Sequence, residues 1–127
     1  MIGEGAKAVI CARLANVAFV NGIAENPPAA SSAFDMAICR FAIHHFVDPA
    51  IPVKEMVRVC RAGWRVVLID LAAPDDEQLA QSYNRLEQLR DPSHTRALRQ
   101  TQLEALLSEC GLALSQSLAR NIPVHVE

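Results

Sequence analysis

Two adjacent histidines, His44 and His45, close the run Phe34-Asp35-Met36-Ala37-Ile38-Cys39-Arg40-Phe41-Ala42-Ile43-His44-His45-Phe46. An imidazole changes charge near neutral pH, so either ring is a candidate proton acceptor for a reaction that removes a proton from its substrate. The structural alternative is that one ring packs and hydrogen-bonds locally while the other faces solvent. Asp48 could orient a histidine, but capping a helix that begins at Pro49 explains it fully. A metal held by His44, His45 and Asp48 is disfavoured because successive residues of a strand or loop point apart, and no metal is expected. Asp70 ends a second apolar run, where it either faces the same cleft or simply terminates a strand.

These side chains need a frame. Phe34 to Ile38 reads as a strand buried on both faces, broken at Arg40 by the loop that carries the histidines. A helix follows from Asp48 to about Arg61, with Val53, Met56, Val57 and Cys60 as its apolar stripe and Gly63 as its stop. Arg65 to Asp70 is a continuous apolar strand of the kind found inside parallel sheets. A strand that opens at its C-terminal end into polar residues and then a helix is half of a βαβ unit. Ligands of open α/β sheets gather at that edge.

Later segments extend the pattern. Asp75 with Gln78 predicts a capped helix whose apolar face is Leu79, Tyr83, Leu86 and Leu89, stopped by Asp91-Pro92-Ser93. Thr101-Gln102-Leu103-Glu104 opens another, with Leu103, Leu106, Leu107 and Cys110 on one side and Gly111 after it. Strands are expected at Val17 to Asn21 and roughly at Leu112 to Leu118. A helix is expected over 4–14, with Ala6, Val9 and Ile10 on one side. A loop follows over Asn26-Pro27-Pro28-Ala29-Ala30-Ser31-Ser32, and the end of the chain, 121–127, is extended. Gly3-Glu4-Gly5 has no preceding strand, so it is no phosphate loop. The order helix, strand, strand, helix, strand, helix, helix, strand predicts an α/β fold in one domain over 1–127.

Composition removes several partners. The chain has 127 residues, is 51% apolar and 20% charged, and carries a net charge of -2, which gives no reason to expect nucleic acid or an anionic membrane. Arg85, Arg90, Arg96 and Arg99 are interrupted by Glu87 and Asp91 and read as a solvated face. No run reaches the roughly 18 apolar residues of a membrane helix. The N-terminus lacks the pattern of a signal peptide. Cys11, Cys39, Cys60 and Cys110 are widely spaced, which argues against zinc or disulfides and for a cytoplasmic protein.

Taken in order, Phe34-Asp35, Arg40 to Phe46, Asp48-Pro49, Lys54-Glu55-Met56-Val57-Arg58-Val59, Gly63, Asp70, Arg90-Asp91-Pro92-Ser93-His94 and the helix closed by Gly111 resemble class I S-adenosylmethionine-dependent methyltransferases. The match is to their quinone-biosynthesis-like branch. The resemblance implies a partial Rossmann-like sheet of about four strands with flanking helices. It begins just before the family's third strand and stops after its sixth, without the first two strands, the glycine-rich turn or the last strand. S-adenosylmethionine is the implied cofactor and a small molecule the implied methyl acceptor. Ile23 and Ala24 correspond to the adenine side, Cys39, Arg40 and Phe41 to the methionine end, and His44 and His45 to the face near the transferred methyl.

Ile23 stands where the family usually has an acidic acceptor. Trp64, where the family often has a second glycine, reads as packing. Losing that acceptor and the ribose carboxylate costs about 3–6 kcal/mol, on the order of a hundredfold to ten-thousandfold in affinity. Exposed sheet edges predict a homodimer. The readings that follow are a truncated methyltransferase completed by a second chain, or a binding or assembly protein that has lost the cofactor. A third is that the chain is part of a longer protein.

Overall fold

The computed structural model describes residues 7–9 and 11–121. Its elements are β1 (Phe34–Arg40), a 3-10 turn (Ile43–His45), α1 (Ala50–Val59), β2 (Cys60–Ile69), α2 (Glu77–Arg90) and α3 (Gln100–Glu109). The α/β class holds, and β1 and β2 lie side by side in parallel, with Met36 opposite Arg65, Ile38 opposite Val67 and Arg40 opposite Ile69.

Of the four expected strands, these two form a ladder. Residues 17–21 and 112–118 are not strands, because among the described residues no neighbouring strand takes up their backbone groups. Residues 7–9 and 11 are helical, as expected within 4–14. The expectations for residues 3–6 and 10, and for the tail at 122–127, fall outside the described residues.

β1 continues through Arg40 instead of breaking there. It is also covered on one face only. Cys39 and Leu68 point into a core made by Ile43, Val53, Leu98, Leu106 and Cys110. Phe34, Met36 and Ile38, at alternate positions, lie on the opposite face and are exposed, Ile38 by 61%. Parallel sheets normally bury both faces, so this one has a bare side.

α1 is the helix the stripe predicted, but its N-cap is Pro49 rather than Asp48, which lies one residue before it and accepts from the Ala50 N–H at 3.0 Å. It ends at Val59, earlier than expected. There the Ser32 and Ala33 N–H groups take the carbonyls of Arg58 (2.9 Å) and Val59 (2.8 Å), and the chain passes straight into β2. Gly63 is therefore not the helix stop. Phe34 pairs with Cys60 and Met36 with Arg65, so the first part of β2 arches away from its partner. Gly63 sits in that arch at φ +82, a conformation that favours glycine. The loop over 26–32 is pinned by Arg58, whose guanidinium donates to Ala29 O at 2.9 Å and Ser31 Oγ at 3.3 Å.

α2 is capped by Asp76, not Asp75, through a 2.9 Å bond from the Leu79 N–H. Its Leu79, Leu86 and Leu89 face solvent, and of the predicted apolar face only Tyr83 packs among the described residues, against Ala73, Ala80 and Ala97. α3 begins one residue before Thr101. Gln102 Oε1 accepts from the Arg99 N–H at 3.0 Å, making the return bond of a capping box two residues earlier than predicted. Its stripe packs into the core as expected, and Gly111 at φ +82 follows the helix. Among the described residues no helix is long and apolar enough to cross a membrane.

Candidate active site

The C-terminal ends of β1 and β2 position the chemistry. Phe41 donates its N–H to Ile69 O at 2.8 Å and then turns through φ +51. A bulky residue adopts that conformation only under constraint. The turn sends Ile43 into the core and brings His44 back over the end of β2.

There His44 meets Asp70. The His44 ring bonds through Nδ1 to Asp70 Oδ1, and its backbone N–H donates to Asp70 Oδ2 at 3.2 Å. The side chains are 7% and 2% exposed. Leu71 N–H gives the carboxylate a further bond at 2.7 Å. A buried carboxylate is tolerable when satisfied this fully. Asp48, by contrast, touches neither histidine and serves the helix alone.

The two sequence-predicted histidines lie together, their ring centroids 4.1 Å apart. His45 is the more open ring and donates from Nδ1 to Ser93 O at 3.0 Å. A third histidine was given no role in the sequence. His94 is buried and stacks on His44 at 5.2 Å. Its Nε2 donates to Asn84 Oδ1 at 2.8 Å, an oxygen that also accepts from the Ala97 N–H at 2.6 Å. The segment that carries His94 is clipped to the 3-10 turn. Thr95 and Arg96 both donate N–H to His44 O, at 2.8 and 3.0 Å, and Thr95 Oγ1 donates to His45 O at 2.9 Å. Arg90 to His94 had been noticed as a motif, but only the fold shows what it touches.

The cofactor-side residues are dispersed. Arg40 is exposed, with its guanidinium carbon 4.5 Å from the Phe41 ring centroid. Cys39 is half-buried, and burial, followed by the nearby Asp70 charge, pushes its thiol pKa up. Ile23 and Ala24 lie in a separate tight turn closed by Asn26 N–H to Ile23 O at 3.2 Å. No hydrogen bond among the described residues ties that turn to Arg40 or Phe41. A cavity of about 440 Å³ lies instead between α2 and residues 95–102, bordered by Asn84, Arg85, Arg96 and Arg99.

Burial pushes the His94 pKa below its usual 6.5. The His44 and His45 charges act in the same direction, and Glu87 and Asp91 oppose. The unfolded chain then binds a proton more readily than the native one, so this contribution is complete above pH 6.5 and is lost as pH falls below it. The melting temperature is expected to drop between pH 7 and pH 5, and to drop less in His94→Gln. Thermal melts across that range check this; equal slopes in both proteins would refute it.

Comparison with known proteins gives this geometry a context. A family model described as "Methyltransferase domain" matches residues 4–68. An uncharacterised methyltransferase of Bacillus subtilis, YcgJ, is 38% identical over 112 residues, covering 88% of this chain and 44% of the relative. The crystal structure of that YcgJ protein superposes with a TM-score of 0.83 at 36% identity, covering 89% of this chain and 48% of that one. A ubiquinone/menaquinone biosynthesis C-methyltransferase of Haemophilus ducreyi is 29% identical over 69 residues, 54% of this chain and 27% of the relative. The chain thus spans about half the length of YcgJ, and less of the quinone enzyme.

Proposed function

Because the chain belongs to the class I S-adenosylmethionine-dependent methyltransferase family, we propose that it is the acceptor-facing portion of a methyltransferase, using S-adenosylmethionine only when a second polypeptide completes the cleft. The observation that carries this reading is that, among the described residues, nothing covers the sheet face of Phe34, Met36 and Ile38 and no second strand pairs with β1. An apolar face next to free backbone donors and acceptors is a surface that proteins cover. The simplest cover is another copy of the chain, packed about a twofold axis.

The residues present do not enclose the cofactor by themselves. Ile23 has no acceptor for an adenine amino group and is 64% exposed. Neither that turn nor Arg40 and Phe41 borders the cavity beside α2. Arg40, Phe41 and Cys39 would border the methionine end, and the Ala24 N–H the adenine, with the remaining contacts supplied across the interface. The acceptor is a small molecule reached from the histidine side. The thiols of Cys11, Cys39, Cys60 and Cys110 are free, which suits a cytoplasmic location.

Sedimentation and calorimetric titration with S-adenosylhomocysteine test the reading together. A dimer at micromolar concentration is expected, with saturable binding that weakens roughly tenfold in Arg40→Ala. Ile38→Asp, a charge in the middle of the bare face, is expected to dissociate the dimer and abolish binding. A monomer giving no heat at millimolar ligand would favour the second reading, a methyltransferase-like binding or assembly protein. The exposed, acceptor-free Ile23 is the feature that speaks for it.

A further inference from the structure

Asp70 and His44 form a pair with a defined polarity. A carboxylate only accepts, so the bonded Nδ1 carries the ring proton and Nε2 holds the lone pair. Nε2 has no hydrogen-bond partner among the described residues. No buried side-chain nitrogen or oxygen among them lacks one, so Nε2 keeps a narrow contact with the surface, the side chain as a whole being 7% exposed. The rings of His45 and His94 flank it, and the clip from Thr95 and Arg96 to the His44 carbonyl fixes the backbone beneath it. The result is a nitrogen with a free lone pair, oriented from behind by a satisfied buried carboxylate and reached through a narrow opening.

We propose that His44, positioned by Asp70, is the proton-accepting base of this site and serves acceptors whose nucleophilic oxygen arrives protonated, as in phenols and enols. This rests on the methyltransferase reading for its purpose but not for its chemistry. In the step itself the acceptor O–H bond breaks and the proton forms a bond to His44 Nε2. The electron pair stays on oxygen, which becomes the nucleophile a methyl donor requires. Asp70 holds the ring in place and stabilises the imidazolium that forms, as a carboxylate behind a histidine does elsewhere. His45 Nδ1 meets Ser93 O at 3.0 Å and Ser93 Oγ at 3.1 Å, and Asp91 stands behind it only through that hydroxyl, which donates to Asp91 Oδ1 at 2.6 Å, so the directly bonded His44 is the better oriented base.

Two measurements on the full chain, neither involving a methyl donor, test the proposal. Long-range proton–nitrogen NMR of the histidine rings is expected to show His44 protonated at Nδ1 and bare at Nε2 at mildly alkaline pH. Asp70→Asn is expected to lose that single tautomer. The second probe is 4-nitrophenol, colourless as the phenol and yellow as the phenolate. At mildly acidic pH the full chain is expected to turn it yellow in a saturable way. That colour is expected to be lost in His44→Gln and Asp70→Asn and kept in Glu109→Gln, at the exposed end of α3. A wild-type His44 protonated at Nε2, no colour with the full chain, or equal colour with His44→Gln would each overturn the proposal. The S-adenosylhomocysteine titration decides the methyltransferase reading separately, so a failure of one is distinct from a failure of the other.

Discussion

Replacing Asp70 by alanine is expected to cost about 3–5 kcal/mol, the range for removing one member of a buried pair. The side chain accepts from the His44 ring, the His44 backbone N–H and the Leu71 N–H. Alanine leaves all three donors facing a space that is almost closed to water, since the carboxylate is only 2% exposed. Native domains hold about 5–15 kcal/mol in total, so one substitution consumes a large share of it. Urea unfolding followed by circular dichroism reads the effect as a shift of the midpoint. Asp70→Asn is expected to lose less, because its amide oxygen still accepts. A loss below about 1 kcal/mol for alanine would place the pair among exposed ion pairs, and the account of a buried pair would be wrong.

Ile43→Ala is the second large effect, at about 2–5 kcal/mol, with Ile43→Val at about 0.5–1.5 kcal/mol on the same surface. Ile43 is among the largest fully buried side chains and joins Val53, Leu98, Leu106 and Cys110. Ile38, five residues earlier, is the control. Truncating that exposed side chain to alanine is expected to change monomer stability by no more than about 0.5 kcal/mol. Comparable losses at the two isoleucines, measured in dilute solution, would mean that β1 is covered on both sides after all.

That contrast also shows what the residues could tell in advance. The stripes of α1 and α3 and the apolar runs of β1 and β2 were legible because each pattern is local: Val53 and Leu106 repeat at helical spacing, and Asp48 and Gly111 mark ends. The strands at 17–21 and 112–118 failed for the opposite reason. A strand exists only beside another, and β-rich residues such as Val17, Phe19 and Val20 cannot supply the neighbour. Burial failed likewise: Phe34, Met36 and Ile38 are apolar enough for a core, but only the fold reveals that nothing lies over them.

In the site, His44 and His45 stood out as a pair, and Asp70 was left between two roles that the structure decides by contact. His94 and Asn84 were missed because no local pattern connects them to His44. Their meeting depends on the whole turn between β2 and α3. The one available signal was the Arg90 to His94 motif, polar residues clustered beyond the end of a helix.

The clip between residues 95–96 and His44 also orders the assembly of the molecule in time. β1, α1 and β2 join stretches close in sequence and can collapse early. Bringing Thr95 onto His44 closes a loop of about 50 residues, with a length-dependent entropy cost of about 3.5 kcal/mol. The histidine stack therefore belongs with the later, long-range closures, together with the packing of α3 on Ile43 and Val53. A chain can keep its helices and its parallel ladder while having, for that interval, no site at all.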